Sequence, residues 1–337
     1  MEFLRKRLGL IFRAVVSLLL IAWLVRNIEW SKVWHEMRTM DPRWLVAAFA
    51  SFLPVVLIVS WRWRMLLRVH DVHLRFGRVF ELTMIGQFFS AVGVGTTGGD
   101  VVKIFYVARA VPQRRAAVAF TVIVDRVIGL VALLFFGVVL SLTQLPLLFS
   151  QPQPRFFTSV FYFFALGGLA VSIGACLGPM VLRHPKLRAL LEKLPFFHRG
   201  KSLLTAYEKT ARAIGVNALA LVGSIPSHIC VATMGYCILR AMDLHPPLLA
   251  FCSILLIVNM LIALPISIGG LGVREKLFIY FFALFPIDPD KAVTFSLTFY
   301  FLNLLWSLAS GPFYFLYRHE THTPAPPSTL EPILAES

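Results

Sequence analysis

The sequence predicts an all-α, polytopic membrane protein, and three observations support this fold class. Hydrophobic residues make up 58% of the 337 residues and charged residues only 15%, giving a mean hydropathy of +0.77. Apolar runs of roughly 20 residues, the length a helix needs to cross a bilayer, recur along the chain. Lys and Arg cluster between these runs, as they do in the short cytoplasmic loops of membrane proteins. A soluble globular fold is therefore excluded.

Six apolar segments are long enough to form full transmembrane helices. They are residues 8–25, 45–60, 116–142, 157–182, 216–239 and 293–317. The first follows Arg5, Lys6 and Arg7, as a secretory signal would, but no small-residue cleavage site comes after it. We therefore expect a retained anchor helix.

The apolar region 79–107 is interrupted by glycines and charges. Five arginines lie before it, in segment 61–78, and three more follow it at Arg109, Arg114 and Arg115. The positive-inside rule places both flanks in the cytoplasm. The region would then enter and leave on one side as a re-entrant helical hairpin, with the glycines at its tip buried in protein or lining a wet cavity.

A second interrupted region, 248–285, predicts a hairpin from the opposite face. The basic segment 183–212 is expected inside, and the acidic connection 286–290 outside. Continuing this topology places both termini in the cytoplasm. With the two hairpins, the chain has about eight hydrophobic segments or more.

The topology predicts an inverted repeat with halves at about 1–145 and 150–318. "TGGDVVKIF" and "IGGLGVREKLF" occupy equivalent positions, and Gly98 is as far from Gly269 as Lys103 is from Arg274. Inverted repeats with broken helices that meet near the midplane are typical of alternating-access carriers. We expect one membrane domain over 1–318 and a disordered, Pro-rich cytoplasmic tail over 319–337.

Nine charged residues fall within apolar territory. They are Arg13, Glu81, Asp100, Lys103, Asp125, Arg126, Arg274, Glu275 and Lys276. Each would cost about 2.5–3.5 kcal/mol at the centre of a membrane helix. They should therefore face a cavity or one another.

The first hairpin tip has the composition of an anion site. Gly98 and Gly99 precede Asp100, which is expected to act as the N-cap of the returning helix. Lys103 follows one turn later, where a cation opposes the positive end of the helix dipole and favours a bound anion. The alternative is that Asp100 only caps the helix.

Asp125 and Arg126 are adjacent, so their side chains point about 100° apart on a helix and each needs a partner elsewhere. Two interpretations stay open: an interhelical ion-pair network that fixes packing, or an anionic headgroup on Arg126 or Arg274 with a titrating Asp125 or Glu275. The predicted substrate-binding residues are Gly98, Gly99, Asp100, Lys103, Asp125, Arg126, Gly269, Gly270, Arg274 and Glu275.

Other features suggest ordinary structural roles. Trp61 and Trp63 in "WRWR" are expected at the membrane interface, with the arginines directed toward anionic headgroups. His228 is interpreted as a packed helix histidine. The cysteines lack metal-ligand spacing, so no metal or other cofactor is expected. Basic loops account for the net charge of +15, and nucleic-acid binding is not needed to explain it.

Four motifs in this order, "WRWRMLL", "GTTGGDVVKIF", "DRVIGL" and "PISIGGLGVREKLF", resemble the flippase-like membrane-domain family typified by the transmembrane region of lysylphosphatidylglycerol synthases. The resemblance covers residues 8–317. It implies a prokaryotic inner-membrane protein with a lipid-translocating fold. The functional residues it implies are Asp100, Lys103, Asp125, Arg126, Arg274 and Glu275.

The chain also departs from the synthases, which carry a large cytoplasmic aminoacyl-transfer domain. Only a short tail follows the last span here, too short to form a core, so the synthase chemistry is expected to be absent. The substrate does not transfer with the fold.

The leading hypothesis is a flippase that moves an anionic phospholipid or polyprenyl-phosphate-linked lipid through a polar midplane cavity. The main alternative is a non-transporting partner in lipid, hopanoid or polysaccharide biosynthesis, as a homodimer or with other proteins. A membrane-embedded lipid-modifying enzyme is less favoured, because the sequence offers no nucleophile–base pair, metal cluster or nucleotide loop. The expected binding partners are membrane lipids with anionic headgroups.

Overall fold

The structure, a computed structural model, describes residues 23, 26, 28–92, 98–182, 197–264 and 270–317. All regular elements in these ranges are helices. The α-helices are α1 (Trp30–Thr39), α2 (Pro42–Ala50), α3 (Phe52–Val69), α4 (Phe76–Val92), α5 (Gly98–Ala110), α6 (Arg115–Leu142), α7 (Leu145–Leu148), α8 (Pro152–Leu182), α9 (Phe197–Arg212), α10 (Ile214–Ala241), α11 (Leu248–Ala263), α12 (Val273–Phe282), α13 (Pro289–Ala309) and α14 (Gly311–Leu316).

Helical segments long and apolar enough to cross a membrane confirm the predicted class. Within the described ranges there are five: Pro42–Val69, Pro112–Leu142, Pro152–Ala175, Ile214–Ala241 and Pro289–Leu316. They overlap all the predicted full spans except 8–25, which lies outside the described residues apart from Trp23. The tail 319–337 and the tips of both predicted hairpins, 93–97 and 265–269, also lie outside them.

Helix α11 is at the centre of the apolar core. Most of its side chains are buried, and it packs against α6, α10 and α12, as expected for a helix that is hydrophobic on all sides. Phe251 of α11 makes an edge-to-face contact with Phe295 of α13, with 5.7 Å between ring centroids. Phe278 of α12 contacts the same ring at 5.0 Å. Aromatic packing therefore fixes α11, α12 and α13 together.

The two arms of the first interrupted region, α4 and α5, pack with their backbones in close contact. A Cβ atom on Gly99 would lie 2.0 Å from the carbonyl oxygen of Gly86, and one on Gly86 would lie 2.7 Å from Lys103 Cε. Small residues permit such approach between membrane helices. The close contact fixes where α5 presents Asp100 and Lys103.

The first half of segment 61–78, predicted to connect two apolar regions, is helical and not a loop. Helix α3 continues to Val69, and Arg62 and Trp63 are only 5% and 1% exposed. Trp61 packs against Gly223 of α10, and the position of the two tryptophans at the membrane interface stays a prediction. The helix continues because no Gly or Pro lies between Pro54 and Gly77 and because buried partners compensate Arg62.

One polar cluster joins the α3–α4 connection, the residues just before α6, and α9. Asp71, in the α3–α4 connection, accepts hydrogen bonds from Lys209 Nζ of α9 at 2.6 Å and from Arg114 Nη1, just before α6, at 2.7 Å. Beside it, His70 Nε2 and Thr210 Oγ1 are 2.8 Å apart. The hydrogen bonds from Lys209 and Arg114 lower the pKa of Asp71 to about 2.

Replacing Gly99 with alanine should destabilise the α4–α5 contact, because backbone atoms surround the new methyl group and cannot move aside. We expect a loss of about 1–3 kcal/mol in the free energy of unfolding, typical of overpacking, measured in detergent micelles. Gly77→Ala is the matched control in α4, since a Cβ there meets nothing within 4 Å. Equal stability of the two variants would contradict the close contact.

Asp71→Asn should lower the melting temperature at pH 7. The folded pKa of about 2 lies below the ordinary 3.8, so the stabilisation is present above pH 3.8 and disappears as the pH falls toward 2. The difference in melting temperature from wild type should shrink over that interval. Asp243→Asn is the control, because Asp243 shares the left-handed backbone conformation (φ 55° against 56°) but has a 97% exposed side chain. A pH-independent difference would argue against the ion pairs.

Candidate functional site

A buried ion pair joins three spans. Arg62 Nε of α3 donates to Asp125 Oδ1 of α6 at 2.6 Å, and Arg62 Nη1 donates to Ser224 Oγ of α10 at 2.7 Å. The Arg62 and Asp125 side chains are 6% and 10% exposed. Gly129 leaves room for the guanidinium, because a Cβ there would lie 3.3 Å from Arg62 Nη1. The interior therefore holds this arginine with a compensating charge and a hydroxyl partner.

A second ion pair joins α6 to α5. Arg126 Nε donates to Asp100 Oδ2 at 2.6 Å, and the two side chains are 50% and 14% exposed. The predicted N-cap role of Asp100 is incorrect, because α5 already includes Gly98 and Gly99 and Asp100 lies within its first turn. The carboxylate still benefits from the positive end of the helix dipole. It holds the first turn of α5 against α6.

Lys103 lies beside both pairs. Its ammonium is 5.3 Å from the centre of the Trp63 ring, and the charges acting on it are those of Asp125, Asp100, Arg126 and Arg62. The carboxylates of both pairs form ion pairs with arginines. Among the described residues, no carboxylate forms an ion pair with Lys103. We call these five side chains the α6 cluster: Arg62, Asp100, Lys103, Asp125 and Arg126. With three cations and two anions, its described members carry a net positive charge.

A separate buried cluster, the α12 cluster, lies at the start of α12. Glu275 accepts hydrogen bonds from the Gly272 backbone N–H at 2.6 Å and from Ser296 Oγ at 3.0 Å, and it forms an ion pair with Arg274. Arg274 also donates to Ser296 Oγ at 2.8 Å and stacks over Tyr300. The Arg274 and Glu275 side chains are 6% and 2% exposed. This cluster is electrically neutral.

Glycine shapes the turn that begins α12. Gly270 and Gly272 have φ values of 77° and 82°, in the left-handed region that glycine adopts without steric cost. This conformation directs the Gly272 N–H toward Glu275 Oε2, closing a capping interaction. Gly269, also predicted for the site, lies outside the described residues, as does Arg13.

The rule that adjacent charges need separate partners holds in only one of the two clusters. Asp125 and Arg126 each pair with a residue on another helix. Arg274 and Glu275 instead pair with each other. At the first turn of α12 the Glu275 side chain folds back to cap Gly272, which brings its other oxygen to the guanidinium of Arg274.

The predicted site residues therefore fall into two groups. Gly98, Gly99, Asp100, Lys103, Asp125 and Arg126 lie in or next to the α6 cluster, whereas Gly270, Arg274 and Glu275 belong to the α12 cluster. Among the described residues, no hydrogen bond or ion pair joins the two groups. We therefore treat the α6 cluster and the α12 cluster as two separate groups.

Sequence reasoning missed Arg62, which is central to the α6 cluster. The signal was its helical spacing: Arg62 shares the buried face of α3 with Trp63 and Leu66. It also missed Ser224 and Ser296, whose hydroxyl groups carry no distinctive sequence pattern. His228 hydrogen-bonds through Nε2 with the carbonyl oxygen of Gly129 at 3.2 Å, in agreement with a packed helix histidine.

In the described part of the chain, no three His, Cys, Asp or Glu side chains lie together in a group that could hold a metal ion. The three cysteines described, Cys230, Cys237 and Cys252, are free.

Apolar spans that enclose two ionic clusters define a polytopic helical membrane protein. The chain belongs to the family described as "Lysylphosphatidylglycerol synthase TM region", whose model matches residues 10–311. This confirms the resemblance noted from the motifs.

Two curated relatives are archaeal proteins named UPF0104 membrane proteins. The one from Methanocaldococcus jannaschii is 24% identical over 123 residues, covering 36% of this chain and 37% of the relative. The one from Pyrococcus horikoshii is 27% identical over 136 residues, covering 39% of each. The matched segment thus spans about two fifths of either relative. No solved structure matches this chain.

The Arg62–Asp125 pair should be essential to folding stability. Asp125→Asn leaves a buried guanidinium without a countercharge, so we expect a loss of about 3–5 kcal/mol in the free energy of unfolding. Arg62→Gln should lower the free energy of unfolding by a similar amount. The double variant should lose less than the sum of the two single losses, because the two residues interact. The measurement is a double-mutant cycle in detergent micelles.

Lys32→Gln provides the contrast for this cycle. Lys32 pairs with Glu29 at 2.9 Å, but their side chains are 59% and 64% exposed, and exposed pairs contribute little. We expect no measurable change for this variant. Additive losses for Arg62 and Asp125 would contradict their pairing.

Proposed function

We propose that this protein is a lipid transporter that carries an anionic phospholipid or a polyprenyl-phosphate-linked lipid across the prokaryotic cytoplasmic membrane. The observation that carries the proposal is the charge imbalance of the α6 cluster. Two carboxylates face three basic side chains, and both carboxylates are already paired with arginines. A phosphate group beside Lys103 would neutralise the remaining charge.

The depth of Arg126 in the membrane supports this proposal. From Arg115, at the start of α6, to Arg126 the helix advances about 16 Å, roughly half of a 30 Å hydrocarbon core. Half of the Arg126 side chain is nevertheless exposed, on the same face as the exposed residues Ile123 and Val127. Asp100 supplies one anion to this arginine, and the exposed half of the side chain leaves room for water or a second anion, either of which lowers the cost of a charge at this depth. A lipid headgroup is an anion available there.

The start of α5 adds further hydrogen-bond donors. Asp100 occupies the first turn of α5, where backbone N–H groups are left without helical partners. Lys103 and Arg126 lie beside this turn. Helix N-termini with adjacent basic side chains are suited to phosphate groups. A headgroup could therefore contact two side chains and the backbone at one place.

Re-entrant hairpins and an inverted repeat are part of the proposed mechanism. The pairs α4–α5 and α11–α12 are each joined by a glycine-containing stretch of sequence, and each second helix carries an acidic residue in its first turn. Helix α11, with 16 residues, is shorter than the spans. In carriers, broken helices of this kind place substrate sites near the membrane midplane. Both termini would then lie in the cytoplasm, following the basic segments.

The α12 cluster is assigned a structural role in this conformation. Arg274 is already saturated by Glu275, Ser296 and Tyr300 and is buried, so it has little capacity for a headgroup. The proposed binding residues are accordingly Lys103 and Arg126.

A non-transporting partner protein is the second candidate. The buried Arg62–Asp125–Ser224 contacts favour it, because they fix helix packing without requiring a ligand. A transport measurement separates the two functions.

Lys103→Gln should abolish most transport while leaving the fold intact, because Lys103 has no ion pair to lose among the residues described. In proteoliposomes, we expect wild-type protein to move labelled phosphatidylglycerol or polyprenyl phosphate faster than labelled phosphatidylcholine. The variant should be slower by about tenfold, the effect of losing one hydrogen bond to a charged group. The measurement is the rate of label loss from the inner leaflet.

Lys291→Gln is the control, since Lys291 is a partly exposed lysine 3.7 Å from Glu36 and far from α5 in the sequence. It should transport like wild type. If wild-type protein moves none of these lipids, the transporter proposal is wrong and the partner role replaces it.

A further inference from the structure

An apolar groove of about 490 Å³ lies between α6, α8 and the end of α11. All the residues that line it are apolar, and they include Leu130, Leu134, Phe163, Gly167, Met260 and Leu264. Phe163 is 72% exposed and Leu166 is 69% exposed, so the groove is open at the side of the helix bundle. In a bilayer this opening faces hydrocarbon.

The groove continues from the α6 cluster along one helix. Arg126, Leu130 and Leu134 follow one another at intervals of four residues, so they lie above one another on α6. From Arg126 to Leu134 the helix advances about 12 Å. Both Arg126 and Leu130 are exposed. A basic group at one end and an apolar channel below it are complementary to an amphiphile with an anionic head.

Two glycines of α8 open this groove. A Cβ on Gly168 would lie 2.7 Å from Leu134 Cδ1, so Gly168 permits close contact between α8 and α6. Its neighbour Gly167 has nothing within 4 Å of its Cβ position and therefore faces open space. The first glycine brings the walls together, and the second leaves the volume between them empty.

We infer that this groove holds a hydrocarbon chain of an anionic lipid whose headgroup binds at Arg126, so that the lipid enters sideways between α6 and α8. The inference rests on the proposed transport function for the identity of the ligand. It adds where the chains lie and from which side the lipid arrives.

A helix of a partner protein fits the groove less well. Such a helix is about 10–12 Å wide, and it would cover Arg126 with side chains suited to the apolar wall below. That would enclose the exposed half of the Arg126 side chain, the part not covered by its pair with Asp100, in an apolar surface. A lipid meets both requirements, since its head carries the anion and its chain fills the groove.

The test fills the groove without disturbing the fold. Gly167→Leu places a side chain into the open space of the groove. Gly174→Leu is the control: it adds the same side chain at another α8 position where a Cβ has nothing within 4 Å, but Gly174 does not line the groove. Both replace a helix glycine, so both should preserve or raise helix stability. Melting temperature and size-exclusion profile verify the fold of each variant.

The probe is phosphatidylglycerol with a photoreactive diazirine in one acyl chain, in nanodiscs of phosphatidylcholine. Wild type and Gly174→Leu should be labelled in peptides containing Phe163 and Leu166. Labelling should fall by about tenfold in Gly167→Leu, because the leucine displaces the equivalent of two or more methylene groups. Arg126→Gln should reduce the labelling to the level of a phosphatidylcholine probe with identical chains.

Two outcomes would overturn the groove assignment: equal labelling by the two headgroup probes, which indicates bulk lipid, or unchanged labelling of Gly167→Leu. Proteoliposome transport measured on the same preparations keeps this result separate from the proposed function. Transport without labelling in α8 rejects the groove and retains the transporter. Headgroup-selective labelling without transport retains the groove as a lipid site and rejects the transporter.

Discussion

The arrangement of the polar interior depends on Arg62, a guanidinium that is only 5% exposed. The ion pair with Asp125 and the hydrogen bond to Ser224 form only if α3, α6 and α10 keep one relative position. Removing charges from water is so costly that an arrangement in which Arg62 lacks one of these partners would be strongly destabilised. The same position of α3 brings the Trp63 ring beside Lys103. The anchor and the candidate binding group are therefore set by one constraint.

The two ion pairs of α6 differ in how readily a ligand could replace them. The Arg62–Asp125 pair is almost fully buried, and separating it would leave two charges in a low-dielectric interior. The Arg126–Asp100 pair is half exposed on its arginine side, so it costs less to exchange. A headgroup that takes over Arg126 would release Asp100 in the first turn of α5. The binding event would thus act on the arm that also carries Lys103.

The apolar half of the molecule is held together by aromatic packing. Phenylalanine rings of α11, α12 and α13 interlock, and the neutral Arg274–Glu275 pair closes the start of α12 without a ligand. Only the end of α11, at Met260 and Leu264, contributes to the groove. A fixed wall on one side and open space beside Gly167 on the other suit a flexible chain. The proposed headgroup, by contrast, would meet charges with defined partners.

The sequence by itself determined the helical membrane class and the candidate charges, because apolar runs of spanning length and isolated charges within them are local properties. It also indicated that Asp125 and Arg126 need partners on other helices. Tertiary structure decided which partners those are, moved Arg62 from a predicted loop into the interior, placed Asp100 inside the first turn of α5, and paired Arg274 with Glu275. These outcomes depend on contacts between helices far apart in the chain. No local pattern specifies such contacts, since the energy of a buried charge depends on what packs against it.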